Sequence, residues 1–424
     1  MQMTTREVLD LDHKKLLSYA DPTIKEQLGN FVREFNKREW SVRIGNVCDS
    51  FEDYAKRHYE HQDEFGVGFV VNDKPVPYFH PNRSFHDEII WLNNHLYYRP
   101  DVTFGDKLIN SAVVKFYGPA RTLDIITGNA NLDYLDKTDY KYINFDLLRR
   151  DERYEHALMS NIEKAFAKGE KIWGTTELRT SLQTASRDYS RKNPSIIDRK
   201  GVLGLPTTKL DQGTRGMRPS DMINWISAMS DKWITFYKNK PDMEESFNFL
   251  TSTRGIGNYY GYHFSSNLAR MPGVGHGGLI QAEWSDQFKT LQQLDPNLTH
   301  GNLDENSDYV IAGPGSTATI KSLFPQFQPT MPVLMHCLVA IRDNQEEFFD
   351  IAGKTQAELH LKEASELGRF TTFGIEISCC QFNVFRRVRD NPTMAMARAK
   401  APISKISKLE SVEESEPSLA CFIE

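Results

Sequence analysis

The stretch Leu250-Thr251-Ser252-Thr253-Arg254-Gly255-Ile256-Gly257-Asn258-Tyr259-Tyr260-Gly261-Tyr262 decides how this chain is expected to fold. Its Gly-Ile-Gly lets two helices meet through a tight turn, because glycine accepts a positive φ or a close backbone approach. The apolar Ile256 anchors that turn in the core. Backbone amides at the start of the next helix can then hold a phosphate. The stretch predicts a helix-hairpin-helix unit over 245–270 that grips DNA by its backbone, with a plain C-cap and turn as the alternative.

A second motif combines a carboxylate with a glycine-rich turn. Asp308 precedes Gly313-Pro314-Gly315-Ser316, which opens a predicted helix from Thr317 to Phe324. Amides at such a helix start form a ready anion site. We therefore expect a catalytic Asp308 beside phosphate-binding Gly313, Gly315 and Ser316. The alternatives are a loop or N-cap carboxylate and a simple helix entry.

The third motif lies on a predicted helix from Phe370 to Arg389, with apolar residues at core spacing. Glu376 stands among these apolar positions, where it would face either a pocket or a paired arginine. Arg386 and Arg387 follow on the same helix.

Together the three motifs resemble the phage α-glutamyl/putrescinyl thymine pyrophosphorylase family, also described as amino acid:DNA transferases. A related helical domain accompanies the 5-hydroxymethyluracil DNA kinases. The order hairpin, helix, Asp is also similar to that of the helix-hairpin-helix DNA glycosylases. The resemblance covers about residues 85 to 390 and is specific at the three motifs.

The resemblance implies a mostly α, glycosylase-like helical fold and an enzyme that transfers an amino acid or polyamine onto pyrophosphorylated 5-hydroxymethyluracil in phage DNA, releasing pyrophosphate. It implies catalytic roles for Asp308 and Glu376. Gln381, Val384 and Phe385 depart from the family pattern, so a role that needs a lysine in this helix is in doubt. The resemblance also implies that Arg99 and Arg121 bind phosphate, with Asp106 beside them in the pocket. The residues that it implies for DNA binding are Arg254, Gly255, Ile256, Gly257, Tyr259, Tyr260, Arg386 and Arg387. Tyr262 lies near enough in sequence to assist in stacking a flipped base.

Composition sets further bounds. A net charge of −6 excludes a protein that coats DNA by bulk charge, although a local patch is sufficient for an enzyme. The basic, Gly- and Pro-broken segment 187–218 is either a phosphate-tracking arm or a solvated loop. Five cysteines without Cys-x-x-Cys pairing favour reduced thiols, and we predict no cofactor, metal or iron–sulfur cluster. With no membrane-length apolar run or signal peptide, we expect a cytoplasmic protein, in the host cell if it is phage-encoded.

The predicted organisation has an N-terminal helical segment over 1–84 with a small β-hairpin near 65–80, a helical catalytic domain over 85–395 and a disordered tail over 396–424. Two rival functions remain open: a glycosylase acting on a modified base, and a non-catalytic DNA-binding module. The expected partners are modified DNA and a small amine or amino acid, whose identity the sequence leaves open, as it does the oligomeric state.

Overall fold

The structure, a computed structural model, describes residues 2–43, 69–71, 74–76, 87–118, 121–170, 172–173, 180–193, 218–276, 289, 291–350 and 370–390. Within these ranges the chain has seventeen helical segments, one of them π-helical, and a single two-stranded sheet. The mostly α-helical prediction is confirmed. The disordered-tail prediction and most of segment 187–218 lie outside the described residues.

The helices are, in chain order, α1 (Thr5–Leu9), α2 (His13–Leu17), α3 (Pro22–Arg43), α4 (Asp87–Leu92) with a π-helical continuation (Asn93–Tyr97), α5 (Phe104–Tyr117), α6 (Arg121–Ile126), α7 (Phe145–Arg150), α8 (Glu152–Ala167), α9 (Thr180–Lys192), α10 (Pro219–Tyr237), α11 (Met243–Ser252), α12 (Asn258–Leu268), α13 (Pro314–Leu323), α14 (Met331–Asp343), α15 (Gln345–Phe348) and α16 (Thr372–Asp390). Two short strands, β1 (Phe69–Val71) and β2 (Lys74–Val76), pair antiparallel with Phe69 opposite Val76. They lie where the β-hairpin was predicted. None of the described helices is both long and apolar enough to span a bilayer.

The chain divides into two compact units. The first unit comprises Met1–Phe85, Leu279–Glu283 and Glu305–Glu424, and the second comprises His86–Gly278 and Trp284–Asp304. In this division the described residues 305–350 and 370–390 are grouped with the N-terminal helices. Asp308 and Glu376 therefore belong to the first unit, and the Gly-Ile-Gly stretch belongs to the second.

Local capping explains where several helices of the second unit begin. Thr103 accepts a hydrogen bond from the amide of Asp106 (3.1 Å) at the start of α5. Asp242 and Glu245 form a capping box at the start of α11. These side chains satisfy amides that a helix leaves unpaired at its N-terminus.

An aromatic cluster forms the core of the second unit. Phe116 of α5 packs against Trp225 and Trp233 of α10 and against Tyr260 and Phe264 of α12, with ring centroids 5.4 to 6.1 Å apart. Tilted and edge-on pairs of this kind contribute about 0.5–1.5 kcal/mol each beyond the burial of apolar area. The cluster holds α12, and with it the hairpin turn, against the centre of the unit.

Two buried asparagines pin the irregular segment 127–144 to the helices. Asn161 of α8 donates to the carbonyls of Ile126 (3.1 Å) and Asp136 (2.8 Å), and accepts from the amide of Asp136 (2.7 Å). Asn110 of α5 makes a similar exchange with both backbone groups of Ile143. Side-chain amides thus supply the backbone partners that a strand would otherwise provide.

In the first unit, α13 and α16 pack along each other, and α14 lies against α16 and the N-terminal helices α1 and α2. Phe31 of α3 contacts the rings of Phe382 and Phe385 on α16 at 5.6 and 5.4 Å. The start of α16 is held by Gln345, which accepts from the amide of Phe370 (2.7 Å) and donates to its carbonyl (3.0 Å). The middle of α16 is consequently fixed against α13.

Replacing Asn161 with alanine removes its three backbone hydrogen bonds and leaves buried groups without partners. We expect the free energy of unfolding to fall by about 2–4 kcal/mol, because each buried group left unsatisfied costs about 1–3 kcal/mol. The control is Lys164→Ala, one turn further along α8, which removes only an exposed ion pair with Asp136 and should cost about 1 kcal/mol or less. Urea denaturation measures both, and equal losses would contradict the role given to Asn161.

Candidate functional site

The hairpin stretch of the second unit forms a tight turn between α11 and α12. Thr253 leaves the helical conformation, Gly255 has a φ of +100°, and the amide of Ile256 donates to the carbonyl of Thr253 (3.0 Å). The side chain of Ile256 is buried. The predicted pair of helices is present, and its first glycine has the positive φ that the turn requires.

The two glycines of the turn serve different purposes. A Cβ on Gly255 would lie 2.6 Å from Cβ of Ala185 on α9, so both the backbone conformation and the packing there require glycine. Gly257 is the N-cap of α12 with an ordinary φ of −91°, and a Cβ there would meet no atom of the described residues within 4 Å. Gly257 thus leaves open space in front of a helix N-terminus, where an anion is favoured.

The tyrosines after the turn do not all face outward. Tyr260 and Tyr262 are only 1% and 2% exposed, so their rings belong to the core, in contrast to the surface position that DNA binding by Tyr260 or base stacking by Tyr262 would need. Tyr259 is half-buried, and the ammonium group of the buried Lys115 lies 5.6 Å from its ring centroid. Of these three rings, Tyr259 is the one that keeps a solvent-facing part.

The predicted arginines of the second unit each have an acidic neighbour. Arg254 is exposed and forms an ion pair with Asp188 (2.8 Å). Arg99 binds Asp101 through two nitrogens at 2.6 and 2.9 Å. Arg121 lies 3.7 Å from Glu170. An anionic ligand would therefore compete with a carboxylate at each arginine.

Asp106 has a structural role. Its carboxylate accepts hydrogen bonds from the amide of Phe145 (2.7 Å) and the hydroxyl of Thr103 (2.8 Å). Burial raises the pKa of the carboxyl against these two bonds. The side chain joins the start of α5 to the start of α7, which is sufficient to explain it without a ligand.

Two titratable groups near Arg99 and Arg121 have pKa values shifted by burial. Burial raises the pKa of Asp124 to about 7, although Arg121 and Lys141 oppose the shift. Burial lowers the pKa of His95 to about 4. Of these two groups, His95 was not singled out from the sequence.

In the first unit, Glu376 and the Gly-Pro-Gly-Ser turn are in direct contact. Oε1 of Glu376 accepts hydrogen bonds from the hydroxyl of Ser316 (2.6 Å) and the amide of Gly313 (3.0 Å). Gly313 is the N-cap of α13, so the carboxylate lies at a helix N-terminus. The Gly313 amide, which was predicted to bind phosphate, is thus engaged by a carboxylate of the protein itself.

The environment of Glu376 is dry. The residue is 2% exposed, and its second oxygen, Oε2, has no hydrogen-bond partner among the described residues. Burial raises the pKa of the carboxyl, and the hydrogen bonds from Ser316 and Gly313 partly oppose this shift. The carboxylate of Glu376 thus lies in an environment that favours its protonated, neutral form.

Gly315 is explained by helix packing. A Cβ on Gly315 would lie 2.6 Å from Sγ and 3.1 Å from Cα of Cys380. Thr319, one turn later, donates to the carbonyl of Cys379 (2.7 Å). The glycine lets the first turn of α13 lie directly on the backbone of α16.

Asp308 is exposed and paired. Its side chain is 80% exposed, and Oδ1 accepts from Nη2 of Arg342 (2.8 Å). Nη1 of the same arginine donates to Thr372 Oγ1 (2.7 Å) on α16. Thr372 precedes Glu376 by four residues, so Arg342 links Asp308 to the helix face that carries Glu376.

The two arginines at the end of the third motif differ in exposure. The half-buried Arg386 lies over the ring of Phe382, with its guanidinium carbon 5.7 Å from the ring centroid. Arg387 is exposed. Of the two, Arg387 has the more exposed side chain.

In the part of the chain that the structure describes, no cluster of three or more His, Cys, Asp or Glu side chains could hold a metal ion. Comparisons with protein-family models, with curated proteins and with solved structures gave no match to this chain.

Gly255→Ser should lower the stability of the protein, whereas Gly257→Ser should not. The first forces a side chain into a φ of +100° against Ala185, and we expect it to lower the free energy of unfolding by about 1–3 kcal/mol. The second meets no neighbour and supplies a preferred N-cap residue, so it should be neutral or stabilising within about 1 kcal/mol. Thermal unfolding compares the two, and equal effects would contradict the described turn.

Glu376→Gln should change how stability depends on pH. Because the folded-state pKa is raised above 4.5, the contribution of Glu376 to stability is complete below that pH and is lost as pH rises through the folded pKa. Glutamine does not titrate, so the variant should gain stability relative to wild type as pH rises from 4 to 8. Urea unfolding at intervals across this range measures the difference, and a constant difference would exclude the raised pKa.

Proposed function

We propose that this protein modifies DNA bases, transferring an amino acid or polyamine through its amine onto pyrophosphorylated 5-hydroxymethyluracil with release of pyrophosphate. The observation that carries the proposal is the contact of Glu376 with Gly313 and Ser316. It joins two motifs that the sequence resemblance singles out, and it places a buried carboxylate at a helix N-terminus. A glycosylase needs only one carboxylate and no site for a phosphorylated leaving group.

The hairpin turn supports the DNA-binding part of the proposal. Gly257 leaves open space before the N-terminus of α12, where a backbone phosphate is favoured. The exposed Arg254 lies close to Gly257 in sequence. Its guanidinium, which pairs with Asp188, would pair with a DNA phosphate instead. The target base must leave the duplex, at a cost of a few kcal/mol, and the half-exposed Tyr259 offers a stacking surface.

The first unit offers groups for the charges of the reaction. Loss of pyrophosphate from the allylic methylene builds positive charge on the uracil ring, which the exposed carboxylate of Asp308 would stabilise. Negative charge builds on the leaving group. Pro314 has no N–H, so the amide of the half-buried Gly315 in the first turn of α13 is the group that would hold pyrophosphate.

One observation favours a second candidate, a non-catalytic DNA-binding module. Asp308 is held in an ion pair with Arg342, as a purely structural carboxylate would be. It is exposed, however, whereas the module predicts a buried pair. Only the first candidate predicts that the protein chemically converts a DNA substrate.

The test uses the full chain with duplex and single-stranded DNA containing pyrophosphorylated 5-hydroxymethyluracil, and a panel of amines that includes putrescine, glutamate and glycine. Digestion to nucleosides and mass spectrometry should show a new amine-bearing thymidine, together with released pyrophosphate. Abasic sites would support the glycosylase instead. DNA binding without any new nucleoside would support the module.

Asp308→Asn should abolish turnover while leaving DNA affinity within about twofold, because it removes a charge that acts on the transition state. Asp343→Asn is the matched control, since Asp343 pairs with the same guanidinium at 2.7 Å. We expect this control to retain activity. Activity of Asp308→Asn within tenfold of wild type would remove Asp308 from the mechanism.

A further inference from the structure

The two oxygens of Glu376 have different surroundings. Oε1 is held by the hydroxyl of Ser316 and the amide of Gly313, which fix the direction of the carboxylate. Oε2 is buried and has no partner among the described residues. A hydrogen-bond acceptor kept dry and unpaired is costly, and a carboxylate more so than an amide.

No cation of the described residues offsets this cost. The influences on the pKa of Glu376 are burial and its two hydrogen bonds, without a Lys, Arg or His among them. Asp308, in contrast, is exposed and paired with Arg342. A carboxylate held by a guanidinium is suited to keeping its charge, whereas a buried carboxylate without a cation is suited to binding one and accepting its proton.

Gly313 lies directly beside the carboxylate. Its φ of −72° and ψ of 174° are available to any residue, so the backbone does not require glycine there. A Cβ at this position would stand 3.3 Å from Oε1 of Glu376. A side chain at position 313 would therefore press on the carboxylate, which is itself only 2% exposed.

We propose that Oε2 of Glu376 binds the primary ammonium group of the amine substrate and takes one of its protons. This inference rests on the proposed function, and it names the residue that activates the amine. The proton passes from nitrogen to Oε2, and the nitrogen lone pair then forms a bond to the methylene carbon. The carbon–oxygen bond to pyrophosphate breaks, and its electron pair leaves with pyrophosphate.

The arrangement also removes a conflict at the start of α13. A charged Glu376 would repel pyrophosphate bound at the Gly315 amide. Once Oε2 has accepted a proton the side chain is neutral, and the helix N-terminus is left to act on the leaving group. Proton transfer and departure of pyrophosphate therefore favour each other.

Glu376→Gln is the decisive variant, because its amide oxygen can keep the bonds from Ser316 and Gly313 while an NH₂ group replaces Oε2. We expect turnover on pyrophosphorylated DNA with putrescine to fall about 100-fold or more with DNA affinity within about twofold. The residual rate should rise roughly tenfold per pH unit below the amine pKa, since solvent must then supply the free amine. The control, Ser322→Ala on the same helix α13, removes only a bond to the carbonyl of Ala318 and should keep the wild-type pH profile. Turnover of Glu376→Gln within tenfold of wild type, with an unchanged profile, would overturn the proposal.

A second measurement separates this inference from the proposed function. Methylammonium chloride should raise the unfolding temperature of the wild-type protein more than tetramethylammonium chloride at equal concentration, because only the former has N–H groups. In Glu376→Gln the two salts should act equally. If methylammonium stabilises the wild type more than tetramethylammonium does and no new nucleoside forms, the amine site is supported and the proposed function is rejected. If new nucleosides form but the two salts act equally on the wild type, the proposed function is supported and the amine site is rejected. Should Glu376→Gln fail to fold, Gly313→Ala replaces it, and an unchanged KM for putrescine would overturn the proposal.

Discussion

The arrangement of the first unit depends on one buried carboxylate at the start of a helix. Glu376 gives α13 an acceptor for two donors at its N-terminus, so a residue of α16 caps a neighbouring helix. Burial opposes the charge, as the raised pKa indicates. The two helices can lie this close because Gly315 has no side chain to separate it from Cys380. Helix packing and the protonation of one carboxyl are therefore coupled.

Local signals were sufficient to predict the turns of this protein. Gly-Ile-Gly was expected to join two helices with a positive φ and a buried apolar residue, and Gly255 and Ile256 have these properties. Thr103 likewise caps α5 through the amide of Asp106, three residues away. Each of these features depends on residues within one or two helical turns of each other, so the sequence contains the whole interaction.

Long-range partners could not be predicted in the same way. The sequence offered Glu376 a pocket or a paired arginine, but its partner is the turn at Gly313 and Ser316, sixty residues away in the chain. Arg342 was not singled out, although it binds both Asp308 and Thr372. The orientation of Tyr260 depends on the helical phase of α12, which is set by packing against Phe116. Such pairings arise from tertiary packing, for which spacing along the chain gives no direct signal.

The asparagines that hold segment 127–144 have a consequence for local opening. The amides of Asp136 and Ile143 donate to Asn161 and Asn110 at 2.7 and 2.8 Å, although neither residue is in a helix or strand. Their exchange with solvent deuterium is therefore governed by the opening of α8 and α5, which carry the acceptors. A segment without regular structure thereby acquires the slow exchange of the helices beneath it.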